Sequence, residues 1–172
     1  MPRLIVLTIA CAATPAAADE LGAAFLGIDA RLEPDPLGGV TTDLGFGLEG
    51  VVTRWHPFCA GLRVGFDPDS DGEGTSAVRS IEIPVLARGG WCAGGPRAVF
   101  FAWAGAGITF AAVTTEVAGV TRTDWAPIAL FGAGADILVR LGSLAALAGL
   151  GAERSGDRWA GVLRVGFGSW GP

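Results

Sequence analysis

Between residues 23 and 32, Ala24, Leu26, Ile28, Ala30 and Leu32 share one parity while Gly27, Asp29 and Arg31 take the other. Such alternation puts apolar side chains on one face of an extended strand. The same pattern runs through 42–53, where Leu44, Phe46, Leu48 and Val52 oppose Asp43, Glu49 and Thr53. It recurs in 59–66, with Ala60, Leu62, Val64 and Phe66 against Gly61, Arg63 and Gly65, and in 80–88, with Ile81, Ile83 and Val85 against Ser80, Glu82 and Arg88. Phe131, Ile137 and Val139 oppose Asp136 and Arg140 in 131–140, and Leu163, Val165 and Phe167 oppose Arg164 in 163–168. Residues 97–115 and 144–152 are apolar or Gly/Ala-rich on both faces, so they read as strands of unresolved phase. The pattern predicts an all-β chain of eight antiparallel strands.

The connections alternate in character. EPDPLGG, DPDSDGEGTSA, EVAGVTRTD and ERSGDR are acidic or Gly/Pro-rich loops, whereas RWHP, GGWCAGGP and LGS are compact and nearly neutral. An up-and-down meander would send the first set to one end and the second to the other, the asymmetry of an outer-membrane barrel. The rival is a membrane helix over 98–115, eighteen residues without a charge. Gly is too dense there for good helix propensity, and the other apolar stretches are interrupted by charge.

Composition sharpens this reading. The chain has 172 residues, 51% apolar and 17% charged, with 28 Gly and a formal charge of −5. It is too apolar for disorder, and its length suggests one domain. Every basic residue is Arg, and an acidic chain without a basic patch argues against nucleic acid as partner and effectively rules out polyanion binding. The strand charges balance, Asp29, Asp43, Glu49, Glu82 and Asp136 against Arg31, Arg63, Arg88, Arg140 and Arg164. A small closed barrel needs that balance, because unpaired buried charge costs several kcal/mol. These ten residues are the expected lumen charge network. Arg54 and Arg79 fall on the outward parity near strand ends.

Residues 1–18 read as a secretory signal peptide, with Arg3, a short apolar run and Ala16-Ala17-Ala18 before a cut at Asp19. A lipoprotein cut at Cys11 fits less well, because Thr8 stands where Leu is usual. The barrel domain is then 19–172, one charge more negative than the whole chain. It keeps Cys59 and Cys92, which an antiparallel hairpin brings to one rim as a disulfide in an oxidising compartment. Trp55, Trp91, Trp125, Trp159 and Trp170 fall near strand ends as interface aromatics in two belts, while Trp103 fits neither.

The signal segment, the eight alternating segments, the acidic loops and the run SIEIPVLARGG, with Glu82, Ile83, Pro84 and Arg88, resemble the small bacterial outer-membrane β-barrel proteins of the OmpA/OmpX-like group, including PorT-like barrels. The resemblance implies an eight-stranded antiparallel up-and-down transmembrane β-barrel in the outer membrane, in contact with lipid and lipopolysaccharide. It also implies a terminal strand ending on an aromatic residue read by the barrel insertion machinery. Here Trp170 is off the parity of Phe167, a departure from that pattern.

Catalytic chemistry is sparse. The single His, His56, lies in a short connection beside Pro57, and Gly-x-Ser-x-Gly and P-loop motifs are missing. No catalytic residue and no cofactor is expected. Asp67, Asp69 and Asp71 before Gly72 match half of a calcium loop and would hold the ion weakly, but position twelve is Val78 rather than Glu. Three functions remain: a non-enzymatic envelope or surface-loop interaction protein, a narrow pore, and a soluble lipocalin-like barrel with an apolar ligand inside.

Overall fold

The structure, a computed structural model, describes residues 21–35, 38–55, 57–73, 76–117 and 120–171. The expected signal segment and His56 lie outside them. Eight strands follow in order: β1 (Leu21–Asp35), β2 (Gly39–Trp55), β3 (Phe58–Glu73), β4 (Ser76–Gly95), β5 (Ala98–Val117), β6 (Val120–Leu141), β7 (Leu144–Ser155) and β8 (Arg158–Trp170). Each pairs antiparallel with the next, and β1 closes on β8. The barrel removes the edges that would otherwise leave backbone groups unpaired in a bilayer. The rival helix over 98–115 is overturned, since this stretch is β5. Among the described residues no helix is long and apolar enough to cross a membrane.

Parity behaves as alternation demands. Leu26, Ile28, Phe46, Leu48, Phe66, Ile108, Phe131, Ile137, Leu163, Val165 and Phe167 are exposed on the outside, while Asp29, Arg31, Glu49, Arg63, Arg88, Asp136 and Arg164 are buried inside. The structure fixes the two open phases: Val99, Phe101 and Trp103 turn β5 inward at odd positions, and Ala145, Leu147 and Glu153 do so in β7. A lipocalin-like barrel would carry these faces the other way round.

The acidic connections are shorter than their composition suggests. Antiparallel pairing continues from Asp67↔Glu82 to Glu73↔Ser76 and from Val113↔Asp124 to Val117↔Val120. Polar side chains there signal solvation, while backbone pairing simply carries on into the solvent-facing part of each hairpin. The neutral connection around Trp91 and Cys92 is likewise the end of β4. Gly142 (φ 73°) and Gly156 (φ 59°) supply the left-handed conformation that two-residue hairpin turns require.

Cys59 and Cys92 form a disulfide with Cα atoms 5.8 Å apart, and both are buried in the lumen. Beside it the Cys92 amide donates to the Pro57 carbonyl at 2.7 Å. Replacing both cysteines by Ser should lower unfolding stability by about 2–4 kcal/mol, read as a shift in the urea midpoint without added reductant. An unchanged midpoint would show that strand pairing alone holds this rim.

Candidate functional site in the barrel lumen

Inward side chains from eight strands converge on one axis, so their bonding partners lie across the lumen rather than beside them in the register. Glu49 stands directly opposite Arg63 on neighbouring strands. Arg63 nevertheless donates from Nε (3.1 Å) and Nη2 (2.6 Å) to Asp29 Oδ2, and from Nη1 to Glu153 Oε1. Arg31 Nη1 reaches Asp67 Oδ2 at 3.1 Å and Glu82 Oε2 at 3.3 Å, with its Nη2 3.9 Å from Glu153 Oε2. Glu153 thereby links these two guanidinium groups. Nearer the end that holds Leu21 and Trp170, Arg88 donates to Glu49 and, at 2.7 Å, to Asp136 Oδ2, while Arg164 Nη2 donates to Asp136 Oδ1 at 2.9 Å.

Trp103 sits among these groups, 4% exposed. The Arg88 and Arg164 guanidinium carbons lie 5.0 and 4.7 Å from its ring centroid. Glycines make the slot it fills: a methyl group built on Gly134 would come within 2.8 Å of Trp103 Cζ2, and one on Gly151 within 3.2 Å. An interior tryptophan over strand glycines covers backbone that would otherwise go unpacked.

Below the charges lies an apolar floor. Phe25, Val51, Cys59, Cys92, Val99, Phe101, Leu138, Ala145, Leu147 and Trp170 form one buried cluster. A cavity of about 10 Å³, lined by Asp29, Glu49, Arg63 and Arg164 among others, has room for about one water molecule.

The expected sites fare differently. Asp29, Arg31, Glu49, Glu82, Arg63, Arg88, Asp136 and Arg164 all enter ion pairs. Asp43 faces inward, half-buried. Arg140 does not join them: it is exposed at the barrel end, with Nε donating to the Gly142 carbonyl at 3.0 Å. Glu153 and Asp67 fall in loops by composition and are lumen residues in the structure. The parity of Leu147 and Arg63, continued along their strands, points to both. The expected lumen set is corrected at three positions, since Arg140 lies outside it and Asp67 and Glu153 join it, bonded to Arg31 and Arg63.

The calcium reading fails at Asp67. This residue lies in a paired strand and is bonded to Arg31, so the segment does not wrap an ion; the side chains of Asp69 and Asp71 lie outside the described residues. Among the described residues no group of three His, Cys, Asp or Glu could hold a metal. Of the interface aromatics, Trp91, Trp125 and Trp159 are exposed on the outward face. Trp170 is corrected, being 7% exposed and part of the floor, because it shares the inward parity of Arg164. The side chain of Trp55 lies outside the described residues, as do those of Arg54 and Arg79.

At the level of sequence, no family model and no curated protein matches the chain. Solved structures do. The attachment invasion locus protein Ail of Yersinia pestis matches with a TM-score of 0.66 at 11% identity, over 88% of this chain and 98% of that one. A major outer membrane protein from Thermus thermophilus matches at 0.56 and 13% identity (86% and 99% covered), and Neisserial surface protein A at 0.55 and 9% (87% and 96%). The fold is that of a small outer-membrane β-barrel. In such a barrel the outward apolar rows are the lipid face, and the filled interior replaces a conventional core. The carboxylates inside this outer-membrane barrel fold are tied to guanidinium groups on other strands.

Proposed function

We propose that the chain is a non-enzymatic integral outer-membrane protein whose closed barrel contributes to envelope structure and presents its hairpins at the surface. Its first 18 residues act as a cleaved signal, and the insertion machinery delivers 19–172 to the bilayer. The end bearing Leu21 and Trp170 then faces the periplasm and the polar hairpins face outward, in contact with lipid, lipopolysaccharide and any surface partner. The observation that carries this reading is the lumen, which the described residues fill with an ion-paired network over an apolar floor. A narrow pore is the weaker reading, because a conducting path must stay hydrated along its length and the floor residues Val51, Phe101, Leu138 and Ala145 are fully buried.

Two measurements test it. Unboiled protein from the membrane fraction should run as a compact species on SDS gels and shift on boiling. Reconstituted in a planar bilayer, it should give no steps above baseline under conditions where a general porin conducts. Regular single-channel steps would replace the closed barrel by the pore; detergent-free soluble protein without a gel shift would remove the membrane reading altogether.

A further inference from the structure

Among the residues whose side chains are described, the outward rows of the eight strands carry one charge. It is Arg154, on β7, in line with the exposed Leu150 and Ala152. Its cross-strand neighbours are Phe131 on β6 and Trp159 on β8, both outward and each 57% exposed. The guanidinium carbon lies 5.7 Å from the Trp159 ring centroid, Nε donates to the Gly156 carbonyl at 2.9 Å, and Nη2 stands 3.7 Å from Asp157 Oδ1. The group is thus oriented by the turn and the indole, and a guanidinium has five N–H donors, more than these contacts use. Donor capacity is left over on an exposed side chain.

The surroundings select the charge of what docks there. Glu153 turns into the lumen, so the β7–β8 tip presents Arg154 and Arg158 against Asp157 alone, whereas the tip of β3–β4 carries Asp69, Asp71 and Glu73 in sequence. The β7–β8 tip is a basic island on an acidic rim. Beside it β6 continues above its last β7 partner, Leu130↔Ser155, as a wall bearing the exposed Trp125. A cation flanked by aromatic side chains at the boundary between apolar and polar surface suits a phosphate held at headgroup depth, since guanidinium and phosphate can share paired charge-assisted hydrogen bonds.

We propose that the outer face of β7–β8, around Arg154 and Trp159, binds the phosphate of a phosphorylated glycolipid headgroup in the outer leaflet. This rests on the membrane orientation given above and names one partner for it.

Native mass spectrometry of the full chain released from detergent tests the site, with bisphosphorylated lipid A and its dephosphorylated counterpart as probes. The wild-type barrel should retain the phosphorylated lipid about tenfold better than the other, and Arg154→Gln should remove about that preference. Arg140→Gln, exposed at the opposite end, should leave retention unchanged. Excess inorganic phosphate should not displace the lipid. Equal retention by Arg154→Gln, equal loss from Arg140→Gln, or displacement by free phosphate would each overturn the proposal. The unboiled gel mobility of every variant separates loss of the site from loss of the barrel. Should Arg154→Gln fail to form the compact species, Trp159→Leu carries the test, with a several-fold drop expected and none overturning it.

Discussion

Arg63→Ala should destabilise the folded barrel by about 3–5 kcal/mol, the cost of stripping a buried carboxylate pair of its common cation. Arg63 is 1% exposed and holds Asp29 through two nitrogens and Glu153 through a third. Removing it leaves Glu153 with Arg31 at 3.9 Å and leaves Asp29 without the guanidinium that binds it. The shift is read from urea unfolding in phospholipid vesicles. Adding Asp29→Asn to Arg63→Ala should recover part of the loss, because one buried negative charge goes with it; residues in one network do not act additively. A single-variant loss below about 1 kcal/mol would mean that water reaches these groups freely, contrary to their burial.

Trp103→Ala should cost a similar amount, about 3–5 kcal/mol, for a different reason. The indole fills a slot floored by glycines and lies against the Arg88 and Arg164 guanidinium groups, so its removal opens a cavity and withdraws two cation–π contacts together. Gly134→Ala approaches the same slot from the wall. The added methyl would lie 2.3 Å from the Leu150 carbonyl oxygen and 2.8 Å from both Trp103 Cζ2 and Gly151 Cα, and overpacking of that kind costs about 1–3 kcal/mol. Combined, Gly134→Ala and Trp103→Ala should lose about the sum of the two, since the contacts with the β7 backbone stay when the indole goes. A combined loss well below the sum would place the clash of Gly134→Ala in the indole rather than in the backbone.

The sequence carries the architecture because alternation is a property of each strand by itself. Leu26, Ile28 and Asp29 need only their own parity to be placed, and so do Arg63 and Arg164. β5 and β7 resist because Ala and Gly occupy both faces, and small side chains carry little hydrophobic contrast. Asp67 and Glu153 escape for a related reason: they stand where composition turns polar, yet their strands continue beyond that point. Arg140 errs the other way, since its parity is inward but the barrel has ended at its height. Trp103 cannot be placed from its own strand at all. Its slot is made by Gly132, Gly134 and Gly151, which become its neighbours only through the pairing of β5 with β6 and of β6 with β7. The partners of each lumen charge are hidden likewise, because Arg63 bonds to β1 and β7 rather than to its register neighbour on β2.

The apolar floor makes the interior a well rather than a tube. Glu82 keeps 24% of its side-chain exposure at the polar-hairpin end, whereas Phe101, Leu138 and Ala145 keep none at the other. Solvent deuterium would therefore enter the ion-paired lumen from the Glu82 end, and a voltage applied across the bilayer would drop over the charged plug and the dry base together.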